Sequence, residues 1–142
     1  MMDRKEFLVK LGLGVAAIAF MDTLQGCSKN TPSPNNAPAA LNVNFTFLLT
    51  DATYAALRNV GGYVYTNGVI VARTATNTYI AVAQACTHAG CDVVYELQQN
   101  DFYCPCHGSV FNASGAVTVG PASYSLQLMT VKVTGNSVNV HS

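Results

Sequence analysis

Two short runs, CTHAGC at residues 86–91 and CPCHGS at residues 104–109, constrain this chain more than any other feature. Each gathers cysteine and histidine around a glycine, and Cys104 follows Cys91 by thirteen positions, room for one β-hairpin. Thiolates and imidazoles collected in this way are metal ligands first of all. The runs offer Cys86, His88, Cys91, Cys104, Cys106 and His107, six candidates where most sites need four. The fold must therefore bring two loops, one from either end of a hairpin, to the same place.

The chain has 142 residues, room for one domain of ordinary size. Residues 1–27 read as a targeting segment. Arg4 and Lys5 precede the apolar run FLVKLGLGVAAIAFM, and LQGC follows at residues 24–27. The run is shorter than the roughly 20 residues of a membrane-spanning helix and fits an export signal. Arg4-Lys5-x-Phe7-Leu8 resembles a twin-arginine signal with lysine as its second basic residue. LQGC resembles a lipobox, which implies a lipid on Cys27 and a protein anchored at the outer, periplasmic face of a membrane. The other reading is an uncleaved N-terminal helix that holds the chain there. SKNTPSPNNAPAA, residues 28–40, has three prolines and no apolar periodicity, the composition of a flexible tether. Residues 41–142 remain for the folded domain.

Net charge is zero, and 10% of residues are charged. Beyond residue 40 the basic side chains are Arg58, Arg73 and Lys132, against Asp51, Asp92, Glu96 and Asp101. There is no basic stripe to neutralise a phosphate backbone, which excludes nucleic acid as a partner. Docking must rely little on long-range electrostatic steering.

From Val43 onward, period-two alternation and β-branched or aromatic residues dominate. Strands are expected in 42–50, on both sides of Asn67-Gly68 within 63–73, in 78–85, on both sides of a polar turn at 98–101 within 92–104, and in 126–142 around Gly135-Asn136. Residues 112–115 read as a further turn. Only 51–62 has helical character, with Asp51 as a cap and Gly61-Gly62 as a stop. Many short strands with Gly and Asn turns make the fold class all-β, a sandwich or barrel. Met129 falls in a strand pattern and reads as core, and His141 as a solvated tail residue.

Cys27 belongs to the lipobox-like run, so the remaining cysteines interleave with histidine as Cys-x-His-x-x-Cys and Cys-x-Cys-His. In an oxidising compartment two of them can persist as a disulfide, which would reduce six candidate ligands to four. CTHAGC and CPCHGS resemble the two cluster-binding loops of Rieske iron–sulfur proteins, of the high-potential, disulfide-bearing type found in cytochrome bc complexes. GAVTVGPA at residues 115–122 is similar to the family's proline loop, which packs beneath the cluster. The resemblance covers most of residues 86–122. It implies a Rieske-like antiparallel β sandwich of stacked small sheets with the cluster-binding loops at one end. It also implies one 2Fe-2S cluster per chain, with Cys86 and Cys104 on the inner iron and His88 and His107 on the outer one. A Cys91–Cys106 disulfide would clip the loops together.

That ligand set has an electrostatic consequence. Two ferric ions, two sulfides and two thiolates sum to zero charge and neutral imidazoles add none, so reduction leaves one negative charge. A four-cysteine site is already negative before it is reduced, which is why His₂ in place of Cys₂ raises the potential to about −150 to +300 mV. A solvent-facing imidazole nitrogen can also lose its proton on oxidation, coupling electron to proton. Ser109 matches the family position whose hydroxyl donates to a bridging sulfide. Phe111 stands where high-potential members often carry a tyrosine that donates to a cysteine sulfur. This difference, with Asp92, Glu96 and Asp101 between the loops, predicts a potential below that of a site with both hydroxyls. Gly90 and Gly108 are expected to turn the loops tightly and aim N–H groups at sulfur where a Cβ would hinder. Pro105 and Pro121 are expected to stiffen their loops.

The expected function is an exported, membrane-tethered one-electron carrier with no catalysis of its own. It would be a subunit of, or accessory to, a quinol-oxidising complex of the quinol–cytochrome c type, or a shuttle to another periplasmic redox protein. In quinol-docking members a bulky apolar residue usually occupies the position of Ala89, and a second proline that of Ser123, which favours the shuttle or accessory role. A Rieske-type ferredoxin serving an oxygenase is one competing class, although such sites usually lack the disulfide cysteines. A structural zinc module is the other, although Cys₂His₂ leaves the third cysteine of each pairing and the GPA segment unexplained.

Overall fold

The computed structural model describes residues 37–142. The expectations for the export signal, Cys27 and most of the tether fall outside the described residues. Ten strands make two antiparallel sheets: β1 (Asn44–Leu48), β2 (Tyr63–Thr66), β3 (Val69–Arg73), β4 (Tyr79–Ala83), β5 (Val94–Glu96), β6 (Asp101–Tyr103), β7 (Val110–Asn112), β8 (Val117–Val119), β9 (Leu128–Thr134) and β10 (Ser137–His141). The first sheet has the order β1-β10-β9-β4-β3-β2 and the second β5-β6-β7-β8. Among the described residues the one helix is a 3₁₀ segment over Ala52–Arg58, where Asp51 accepts the Thr53 N–H at 2.8 Å as its N-cap. Asn67 and Gly68 both take positive φ, as a two-residue hairpin requires.

β3 explains how the two sheets stack. Its sequence VIVA has no polar alternation because both faces are buried: Val69 and Val71 point into one core, Ile70 and Ala72 into the other. β9 pairs with β10 along Thr130–Thr134 and with β4 through Leu128 and Met129, which joins the two halves of the six-stranded sheet. Phe47, Val69, Val71, Ala81, Met129, Val138 and Val140 from five of its strands enclose the first core together with Leu57 of the helix. The second core lies where Ile70, Ala72 and Val82 meet Tyr95, Phe102 and Phe111 of the four-stranded sheet, and it includes Cys86 and Cys104. Antiparallel sheets stacked around two cores are the expected β sandwich.

Two local assignments are corrected. The GAVTVGPA run, likened to a proline loop and given no strand, contains the edge strand Val117–Val119, which pairs with β7, so its loop begins at Gly120. Three residues are too few to register as alternation. His141 is not a tail residue: it ends β10 opposite Asn44 and Thr130, with its Nδ1 3.0 Å from Asn139 Oδ1.

The connection from β8 to β9 is held along its length. Leu126 N–H donates to the Gly115 carbonyl at 2.8 Å. The Gln127 side-chain amide accepts from Leu41 N–H at 2.6 Å and donates to Leu41 C=O at 3.0 Å, so it grips the start of the domain at both backbone groups. Gly115 sits at φ +85, and a Cβ there would stand 2.4 Å from the Leu126 carbonyl oxygen. Gly115→Ala is expected to destabilise the domain by about 2 kcal/mol or more, combining left-handed strain with that clash. Urea denaturation of the two proteins checks this as a lowered midpoint at unchanged slope.

Candidate metal centre

The two cysteine–histidine runs become two loops of equivalent backbone construction. Residues 86–91 lie between β4 and β5, and Cys86 N–H donates to Cys91 C=O at 2.7 Å while Gly90 N–H donates to Cys86 C=O at 2.8 Å. Residues 104–109 lie between β6 and β7, with Cys104 N–H to Ser109 C=O at 2.8 Å and Gly108 N–H to Cys104 C=O at 2.9 Å. Gly90 and Gly108 have φ of 77° and 82°, left-handed values that a side chain would strain. A Cβ at either would meet no heavy atom of the chain within 4 Å, and the N–H groups of the two glycines themselves bond the Cys86 and Cys104 carbonyls. The backbone N–H groups that reach a sulfur are those of His88 and Ala89, at Cys86.

The six candidate ligands separate as the resemblance implies. Cys91 and Cys106 are joined, with S–S 2.04 Å and Cα–Cα 6.4 Å, and this disulfide links one loop to the other. Cys86 and Cys104 are free and buried. Burial pushes the Cys86 thiol up; the N–H groups of His88 and Ala89 pull against that, and the adjoining Cys104 adds to it. His88 and His107 are exposed, and their rings meet edge to face with centroids 4.7 Å apart. Thiol thus adjoins thiol in the core, and imidazole adjoins imidazole at the surface.

The residues present fit a binuclear cluster better than a single ion. Two pairs of donors, thiols buried and imidazoles exposed, match two metal atoms of different exposure rather than one ion in a single environment.

The proline-bearing loop pins both cysteine–histidine loops from below. Ser109 is fully buried, and its Oγ accepts the Ala122 N–H at 3.0 Å, leaving the hydroxyl proton available to an acceptor in the centre. Thr87 Oγ1, between Cys86 and His88, donates to the Tyr124 carbonyl at 2.5 Å. That second contact carries no sequence signal, because no spacing connects position 87 to position 124. Pro121 is exposed in this loop, while its neighbour Ala122 is buried. Phe111 is fully buried on β7 opposite Phe102, in the same core as both free thiols. Of the three acidic residues between the loops, Asp92 accepts from Gln84 Nε2 at 3.0 Å, and Glu96 and Asp101 stand opposite each other on β5 and β6.

A β sandwich that buries two thiols beneath two exposed imidazoles, on loops joined by a disulfide, defines a one-electron carrier built around an iron–sulfur centre. The chain belongs to the Rieske [2Fe-2S] domain family, which matches residues 50–133. It therefore carries a 2Fe-2S cluster. Among curated relatives, the cytochrome b6-f complex iron-sulfur subunit of Microcystis aeruginosa is 40% identical over 74 residues, covering 52% of this chain and 41% of that protein. The cytochrome b6-f complex iron-sulfur subunit 2 of Synechocystis is 38% identical over 88 residues, covering 57% and 49%. The chain thus spans less than half the length of these relatives. Among solved structures, the cyanobacterial plasma membrane Rieske protein PetC3 from Synechocystis is 34% identical with a TM-score of 0.53, covering 72% of this chain and all of that one. A ferredoxin in complex with the oxygenase of carbazole 1,9a-dioxygenase shares the fold at 21% identity and a TM-score of 0.55.

The disulfide closes a loop of 15 residues. Its removal in a Cys91→Ala, Cys106→Ala double variant is expected to cost about 3 kcal/mol and to loosen the grip on iron. Thermal unfolding and the iron content of the purified variant check the two effects separately.

Proposed function

We propose that this chain is an exported, membrane-tethered one-electron carrier. Cys86 and Cys104 hold the inner iron of its cluster, and His88 and His107 the outer iron. The observation that carries this reading is that the same two loops each carry one buried free thiol and one exposed imidazole, with the two imidazoles in contact. Domain organisation follows the same reading: residues 1–27 direct export and supply a lipid site at Cys27, residues 28–40 form the tether, and residues 41–142 form the cluster domain. No helix among the described residues is long and apolar enough to cross a membrane.

When bound, the cluster supplies a centre that accepts one electron at a potential set by its ligands and their hydrogen bonds. The protein's residues do the rest. Buried Cys86 and Cys104 face the core, so the electron's charge is felt by a weakly polar surrounding. His88 and His107 present their free ring nitrogens to water, where each can hold or release a proton. The Ser109 hydroxyl, fixed by Ala122 N–H, donates toward the centre and favours the reduced form. Pro121 and Gly120 support that geometry from below, and Gly90 and Gly108 turn the loops that present the ligands.

The partner is a redox protein at the same membrane face, in the role of a shuttle or an accessory to a quinol-oxidising complex. Ala89, Gly90, Pro105 and Ser123 are all exposed. They make a small, uncharged tip without the bulky side chain that a deep quinol pocket would grip. The two named relatives are iron-sulfur subunits of the cytochrome b6-f complex, which supports the broader role without fixing the partner. The oxygenase-ferredoxin reading has only the fold in its favour, and the interloop disulfide argues against it.

Potentiometric titration of the holoprotein at several pH values, followed by mixing with a quinol analogue and membranes, tests the proposal. We expect a pH-dependent midpoint within the histidine-ligated range and slow or absent direct reduction by quinol; rapid quinol reduction would move the chain into the complex. Two variants report on tuning. Ser109→Ala is expected to lower the midpoint, and it also leaves the buried Ala122 N–H without an acceptor at a cost of about 1–3 kcal/mol. Phe111→Tyr is expected to raise the midpoint by adding a donor in the core shared with both thiols; an unchanged or lower value in the same titration would refute that account.

A further inference from the structure

Beyond the two loops, Glu96 and Asp101 are placed to sense the charge of the centre. They are directly opposite each other on β5 and β6, so their side chains leave the same face of the sheet, with Cβ atoms about 4.5–5.5 Å apart. Like charges in this arrangement repel. The conflict is sharpest at Asp101, whose Oδ1 is buried with no hydrogen-bond donor. Burial pushes the Asp101 carboxyl above its ordinary range, and a hydrogen bond with Glu96 pulls against that shift. A buried carboxylate oxygen without a donor is costly only while charged. A proton on either carboxyl of the facing pair turns that group into a donor and leaves the other as its acceptor; the bond that pulls Asp101 down is the arrangement with Glu96 as donor.

The surroundings offer little competition. On β5, Tyr95 gives its hydroxyl to Asn100 Oδ1 at 2.8 Å, and burial and the Asp101 charge both push that hydroxyl up. On β7 the residue opposite Asp101 is the neutral Asn112, whose Oδ1 is occupied by Ser114 and Ala116. Arg58 and Arg73 direct their guanidinium groups to backbone carbonyls of residues 49–51 and 57–58. β6 meanwhile runs straight into the second loop, and Cys104 is three residues beyond Asp101, about 10 Å of extended chain. A unit charge arising at that range, partly shielded from water, is felt at the pair.

We propose that Glu96 and Asp101 share one proton, and that this pair, separate from the imidazoles, takes up a proton when the centre gains an electron. The electron comes from the redox donor and the proton from water; both leave on oxidation, and no other bond changes. The carrier's potential therefore rises in acid as well as responding to its histidines. The proposal rests on the ligand assignment above, since the pair responds to charge appearing at that centre.

The test is the midpoint of the holoprotein between pH 4 and pH 9. An acid limb, in which the midpoint climbs as pH falls, should appear apart from the histidine limb. Asp101→Asn should lose the acid limb and keep the other. A midpoint that is flat below neutrality, or an acid limb that survives in both Asp101→Asn and Glu96→Gln, overturns the proposal. A second measurement does not depend on what the loops bind. The folded carboxyl is raised above its unfolded value, so it favours the fold only in acid, and that contribution is lost as pH rises through the folded value. Asp101→Asn in the cluster-free chain should therefore raise the melting temperature at pH 7 and not at pH 4. An unchanged melting temperature at pH 7 overturns the pairing itself, whereas a protein without iron or a redox wave would overturn only the ligand assignment.

Discussion

The domain depends on keeping two sulfurs dry while leaving two imidazoles wet, within a few residues of each other on the same loops. Cys86 and Cys104 are the last apolar contacts of a core that also holds Phe102, Phe111 and Leu126. One or two residues later in sequence, the chain must emerge at the surface to expose His88 and Pro105 to His107. A reversal that short needs a left-handed turn to complete it, and Gly90 and Gly108 supply one in each loop. The equal hydrogen-bond pattern of the loops shows the same solution adopted twice. The disulfide then prevents the halves from separating, a role the weak packing of two exposed loops could not fill.

The β8–β9 connection turns these loops into a single unit. In six residues it contacts Ser109 through Ala122, Thr87 through Tyr124, and Leu41 through Gln127. One contact reaches each cluster loop and the third reaches the point where the chain enters the domain. A cavity of about 640 Å³, lined by residues 37–41, Thr87 and Tyr124 among others, lies beneath this connection. The loops, their support and the entry of the tether are consequently packed against one short segment.

Much of this was legible in the sequence because the determinants are local. Asn67-Gly68 fixes a hairpin, Asp51 caps a helix, and CTHAGC and CPCHGS carry their ligands in a fixed order. Three features were not legible, each for a physical reason. β8 is three residues long and gains its identity from pairing with β7 across a bulge, which no alternation can reveal. The mutual burial of Val69, Ile70, Val71 and Ala72 marks β3 as a strand, but not as the layer shared by two cores. The contacts of Thr87 and Gln127 join residues 37 and 86 positions apart, where both partners are ordinary polar groups with no pattern to connect them. For the glycines of the loops, the sequence identified both the residues and the tight turn they make, but not which N–H groups face sulfur. Their backbone angle is what matters, and the sulfur-directed N–H groups belong to His88 and Ala89.

Electrostatics separates the carrier's recognition from its tuning. Within the two loops the exposed residues beside the imidazoles are Ala89, Gly90, Pro105 and the half-cystine Cys106, none of them charged. The carboxylates stand back from that tip: Asp92 is engaged by Gln84, and Glu96 and Asp101 lie on the strands behind the loops. Charge placed on the tip would select partners through long-range attraction and would also shift the potential, because the same field acts on both. Charge placed behind the loops acts on the potential while leaving the contact surface neutral. A domain with three basic and four acidic side chains can thus adjust how firmly it holds an electron without changing what it can touch.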